Sequence, residues 1–173
     1  MRIKINKLDV ARRQLCAAVN LYFKEYDMVA IHTIVHASFQ ITKNLCAKTN
    51  NKTYLEELFK RYVAPGKEKE AFNAINRTGN FLKHADKDPL AEHGYNSQET
   101  ETLLMLSIWQ YSQLSEESIV EFKIYSLWYQ IHHPDFYILP PNGVGILSKV
   151  VADYGNNKSG FYRDAYIALN GMA

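Results

Sequence analysis

Apolar residues recur at three- and four-residue spacing along most of the chain, and the pattern breaks at Pro, Gly and Asn. Val10 or Ala11, Leu15, Ala18 or Val19 and Tyr22 predict a first amphipathic helix from about Leu8 to Glu25. Asp27 is a capping residue for a second helix, Met28 to about Lys48, in which Ile31, Val35, Phe39 and Ile41 or Thr42 continue the period. After Asn50-Asn51, a third segment opens at Thr53 or Tyr54 and runs through Val63. It stops before Pro65-Gly66 because proline disfavours helical geometry in the residue before it.

A fourth helix starts at Lys67, carries Ala71, Phe72, Ile75, Leu82 and Ala85, and ends at Asp86-Lys-Asp-Pro89. From Asp86 to Ser97 no apolar period survives, which predicts the longest loop inside the fold. Asn96 or Ser97 caps a helix reaching about Leu114, and Ser115-Glu-Glu-Ser begins another that ends near His132-His133-Pro134. Leu103, Leu104, Leu106, Ile108, Trp109 and Tyr111 go nearly all the way round the first of these, and Ile124, Leu127, Trp128 and Ile131 form a broad stripe on the second. Helices of this kind lie in a core or at an interface. Beyond the turn-rich Pro140-Pro-Asn-Gly-Val-Gly, Ile146 to Tyr154 predicts a short helix, Gly155 to Gly160 a flexible link, and Phe161 to Leu169 a last helix. With no strand pattern or internal repeat, the expected fold is all-α: an up-and-down helical bundle over residues 1–138 with a peripheral C-terminal extension, 139–173, packed on the same domain.

Composition narrows the class. The 173 residues are 47% apolar and include 12 Tyr and 8 Phe, which need a core to cover them. A net charge of +2 is too small for the positive field of a strong duplex-DNA binder. No window approaches the roughly 20 apolar residues of a bilayer span, and charge follows the basic N-terminus where a signal peptide needs an apolar run, so a cytoplasmic protein without membrane partners is expected. Cys16 and Cys46 stand about ten and twenty residues from the first turn, a mismatch of roughly 15 Å along antiparallel helices, so two buried free thiols are expected.

The most informative segment is Asn73-Ala-Ile-Asn-Arg77-Thr-Gly-Asn80-Phe-Leu-Lys83-His84-Ala-Asp86. With Arg77 at zero and about 100° per residue, His84 falls near −20°, Asn73 near −40° and Asn80 near −60° on one helical stripe. Ala74, Ala85, Ala71, Leu82 and Ile75 fall between about 60° and 160° on a displaced apolar face. A solvated helix face is the plain alternative, but Asn at 73, 76 and 80 and Gly79 are poor helix formers that helix stability alone would not select.

Arg77 and His84, separated by six residues and preceded by a two-helix hairpin with Ala30, His32 and Ala37, resemble the HEPN superfamily of small helical bundles, whose members carry an Arg, four to six residues, then His. That family usually has Asn, Asp or His directly after the Arg, where this chain has Thr78. The resemblance implies a metal-independent endoribonuclease or a catalytically silent RNA-binding module, often a toxin or defence component, working as a homodimer that brings two such motifs into one cleft. The segment from Asn80 to Asp86 also resembles one found in uncharacterised small bacterial proteins. The chemistry suits the residues. Cleavage by the 2′-hydroxyl needs a group that moves a proton near neutral pH, the role of His84, and a fork of donors for the charged phosphate, the role of Arg77. Asn80 orients the substrate or His84, and Asn73, Lys83 and Asp86 are the flanking binding residues. No cofactor is expected.

His32 and His36 form an i, i+4 pair that suits a metal from one helix face, with His84, Asp86 or His93 to complete it, but the pair lacks the adjacent Glu of a metalloprotease. His36, flanked by Val35, Ala37 and Phe39, reads more simply as a partly buried histidine with a backbone partner, and no metal site is assigned. His132-His133-Pro134 fits a helix end, and Gly143-Val-Gly145 is too short for a phosphate loop. The rival function is a non-enzymatic interaction module, a homodimer or partner-binding surface built on Trp109, Tyr111, Trp128 and Tyr129.

Overall fold

The computed structural model describes residues 2–49, 54–84, 86–134 and 149–171, with the side chains of Tyr54, Leu55, Leu58 and Tyr62 excepted. All regular structure among the described residues is helical. The helices are α1 (Lys7–Phe23), α2 (Met28–Lys48), α3 (Tyr54–Tyr62), α4 (Glu68–Phe81), α5 (Ser97–Leu114), α6 (Val120–His132) and α7 (Lys158–Asn170). Residues 149–154 are also helical. The expected start of the third segment at Thr53, the Pro140–Gly145 turn and the 138/139 boundary lie outside the described residues.

Helix starts follow side-chain capping. The Oδ1 atoms of Asn6, Asp27, Asn96 and Asn157 accept from the backbone N–H of Asp9, Ala30, Gln98 and Gly160 at 2.8–3.0 Å, which satisfies donors that the first turn leaves without partners. α1, α2 and α5 pack together as the central layer, α6 lies against α1 and α5, and α7 against α6 and α1. α3 rests on α5 and α4 on α2. The core is the apolar face predicted for α1 (Ala11, Leu15, Ala18, Val19, Tyr22), that of α2 (Ile31, Val35, Phe39), and most sides of α5. An aromatic cluster of Tyr22, Phe23, Tyr125, Trp128 and Phe161 joins α1, α6 and α7, with edge-on rings at 5.2–5.7 Å for Tyr22–Tyr125 and Phe23–Trp128.

Three boundaries differ from the sequence expectation. α4 stops at Phe81, before Leu82 and Ala85. Leu82 N–H still reaches the Thr78 carbonyl, but Lys83 N–H closes on Asn80 in a tighter turn that leads Lys83 back toward α2. Ser115 ends α5 in an extended conformation instead of opening α6. Its hydroxyl accepts from Glu117 N–H, and the Glu117 carboxylate accepts from the Tyr111 hydroxyl, so local side-chain contacts hold residues 115–119 out of the helix. The link expected over Gly155–Gly160 is shorter, because the Asn157 cap starts α7 at Lys158 and Gly160 is buried within it.

Cys16 and Cys46 are free, as their register requires. Cys46 is buried and Cys16 only half-buried, where burial pushes its thiol up to about 11.

Candidate functional site

α4 turns its most polar surface inward as well as outward. The buried residues are Asn76, Thr78 and Gly79, while Ala74, expected on the packed face, is exposed. The partner that explains this is His36 of α2, 1% exposed. A Cβ on Gly79 would come within 2.2 Å of the His36 ring, so only glycine lets α4 approach this closely. The Lys83 ammonium donates to His36 Nδ1 at 2.7 Å, which leaves the ring proton on Nε2 to donate to Asn76 Oδ1 at 3.2 Å. Gln40 also donates to that oxygen, and Asn76 Nδ2 donates to the Phe72 carbonyl at 2.7 Å. The partners of His36 are thus side chains of α2, of α4 and of the turn that follows it, not the expected backbone group. Burial first, and then the Lys83 charge, hold the His36 imidazole below its ordinary pKa, against the Asn76 hydrogen bond.

One turn earlier, His32 Nδ1 bonds the Thr100 hydroxyl of α5 at 2.9 Å, and Thr100 meets the Tyr95 hydroxyl. His32 Nε2 is buried without a hydrogen-bond partner among the described residues, and burial, with the neighbouring His36, pulls this imidazole down to about 4. The two rings lie 6.2 Å apart. Among the described residues no three His, Cys, Asp or Glu side chains are gathered where they could hold a metal.

The outward face of α4 carries the predicted stripe. Asn73, Arg77 and Asn80 are exposed and line a pocket of about 480 Å3 with His84, Phe81, Lys87, Asp88, Ala91, Glu92 and His93. His84 lies three residues past the end of α4, so the turn, not helical periodicity, delivers it to the same pocket. Its Nδ1 is 3.7 Å from the Asp86 carboxylate, in contact range for an ion pair when the ring is protonated. Among the described residues Arg77 makes no ion pair, which leaves its guanidinium open to a ligand. Of the flanking residues expected to bind, Asn73 lines the pocket, Asp86 reaches it through His84, and Lys83 is engaged by His36 instead. Burial lowers the Lys83 pKa.

Sequence spacing offered His93 only as a ligand to complete a metal pair and Thr78 only as the residue after Arg77, and it revealed neither Glu99 nor the contacts among the three. The buried Thr78 hydroxyl donates to Glu99 of α5 and contacts His93 Nε2 at 2.8 Å, while the His93 ring stacks on Phe81 at 5.0 Å. A second pocket, about 410 Å3, shares Arg77 and His93 with the first and adds apolar walls from Ile75, Leu103 and Leu106. The aperiodic stretch from Asp86 to Ser97, which carries His93 and Tyr95, was the other hint in the sequence.

Of the aromatics assigned to a partner surface, Tyr111, Trp128 and Tyr129 are buried in the core and Trp109 is half-buried. His132 stacks on Trp128 at 3.9 Å and bonds the carbonyls of Trp128 and Gly155, a structural role at the end of α6. No helix among the described residues is long and apolar enough to cross a membrane. No family model matches this chain, and no curated protein or solved structure matches it either.

Proposed function

We propose that this chain is a HEPN-like RNA-cleaving or RNA-binding protein that acts at the pocket between α4 and the 82–96 connection. One observation carries the reading: an Arg77 guanidinium that makes no ion pair among the described residues and the His84 imidazole line the same pocket. Guanidinium donors hold phosphate oxygens as they gain charge, and an imidazole moves a proton near neutral pH. Asn80, beside both, is placed to orient the substrate, and Asn73 adds a neutral donor and acceptor. Arg77 and Lys87 are balanced by Asp88 and Glu92, so binding rests on directed hydrogen bonds more than on a general positive field. The adjoining apolar pocket supports a single-stranded ligand, whose unpaired base needs a wall to lie against. A homodimer placing two such pockets in one cleft is part of this proposal.

Purified protein is expected to cut single-stranded RNA without added metal and in the presence of a chelator, because the proton-moving group is an imidazole and not a metal-bound water. His84→Ala is expected to abolish cutting with helical content unchanged, since a partly exposed ring contributes little packing. Cleavage that persists in His84→Ala refutes the assignment. A wild-type protein that neither cuts nor binds RNA favours the interaction module, whose remaining support is the groove between α5 and α6 bearing Trp109 and the exposed Leu127.

A further inference from the structure

Transphosphorylation by a 2′-hydroxyl moves two protons, one off the attacking oxygen and one onto the leaving oxygen, and a single imidazole serves both only by changing position or state. The pocket on α4 holds two imidazoles, His84 and His93. Their settings differ. Thr78 has one hydroxyl proton and gives it to Glu99, so toward His93 it can only accept. The proton of a neutral His93 therefore sits on Nε2, and Nδ1 carries the lone pair. Among the described residues that Nδ1 has no hydrogen-bond partner, while stacking on Phe81 and the Thr78 contact hold the ring from two sides. His84 instead has its Nδ1 3.7 Å from the Asp86 carboxylate, which leaves Nε2 as the ring nitrogen available to donate to a ligand.

We infer that His93 is a second catalytic residue of this pocket, the general base that opposes His84 as general acid, so that one chain carries the full proton-transfer set for single-stranded RNA. The inference rests on the RNA-cleavage reading above. His93 Nδ1 takes the 2′-hydroxyl proton, the 2′-oxygen bonds phosphorus, the bond from phosphorus to the 5′-oxygen breaks, and that oxygen takes the proton from His84 Nε2. The products are a 2′,3′-cyclic phosphate and a 5′-hydroxyl end, with no water or other co-reactant consumed. Arg77, which lines both pockets, bridges the phosphate during the step. Glu99 and Thr78 are positioning residues, since they act only through His93.

The test uses the full chain and a single-stranded RNA oligonucleotide. Replacing His93 with Ala is expected to lower kcat by about 100-fold or more with KM little changed, and free imidazole in the buffer is expected to restore part of that rate. Imidazole should restore nothing to Arg77→Ala. His93→Gln, which keeps an amide within reach of Thr78, should lose kcat to a similar extent while melting like the wild type. Wild-type kcat in either His93 variant, or a loss that imidazole cannot rescue, overturns the role of His93 and leaves the role of His84 standing. A wild-type chain that cuts no RNA overturns both.

Discussion

Gly79 does a job at the level of single atoms that no other residue can do here. In an exposed helix, Gly→Ala gains about 1 kcal/mol, but at position 79 the new methyl would sit 2.2 Å from the His36 ring. His36 has little freedom to give way, because its two nitrogens are engaged by Lys83 and Asn76. Overpacking of this kind costs about 1–3 kcal/mol and here also disturbs the turn that carries His84. Gly79→Ala is therefore expected to lower the melting temperature by several degrees, against its helix propensity. A melting temperature at or above that of the wild type would show that α4 can move off α2 freely. The same contacts explain Asn76, a poor helix former kept for its buried amide, which serves His36 and Gln40.

At the level of elements, the hairpin of α1 and α2 turns through Glu25, whose φ of 56° lies in the left-handed region. Two backbone bonds lock that turn, Glu25 N–H to the Tyr22 carbonyl and Tyr26 N–H to the Leu21 carbonyl, both at 3.1 Å. This is the position after a helix where glycine is favoured, since a Cβ there costs roughly 1 kcal/mol. Glu25→Gly is expected to stabilise the protein by about 0.5 kcal/mol, the greater freedom of an unfolded glycine offsetting part of the relief. Chemical denaturation with an unchanged slope and a higher midpoint would establish it, whereas a lower midpoint would mean that the Glu25 side chain has a stabilising contact larger than the strain. The end of α4 teaches the converse lesson. The periodicity of Leu82 and Ala85 favoured three or four more helical residues, and the Lys83 contact with His36 ended the helix instead.

For the whole molecule, the buried histidines tie stability to pH. An unfolded His32 titrates near 6.5, and the folded one is pulled down to about 4 by burial, with His36 lowered as well. Above about pH 6.5 the rings are neutral in both states and the full stability is present. As pH falls below 6.5 the unfolded chain takes up protons that the folded chain refuses, so stability drops through the interval down to about pH 4. His32 alone accounts for on the order of 3 kcal/mol over that range. Denaturation midpoints measured from pH 7 to pH 4 should fall steadily, and a His32→Leu protein should lose much less over the same interval. A flat profile in the wild type would mean that these rings are hydrated in solution.

What the sequence determined by itself is the part governed by local periodicity and end chemistry. The all-helical class follows from apolar spacing, the starts of α2 and α5 from the Asp27 and Asn96 caps, and the free cysteines from their unequal distances to the first turn. The exposed stripe of Asn73, Arg77 and Asn80 was legible for the same reason, since neighbours on one helix face are set by rotation per residue alone. Only the tertiary structure decided which polar residues are buried and what meets across chain distance. His36 with Asn76 and Lys83, Thr78 with Glu99 and His93, and His84 returning to the α4 pocket after the helix has ended all join residues that no periodicity relates. A hydrogen bond between helices carries no sequence interval of its own, so a buried polar pair is read only once the helices are packed.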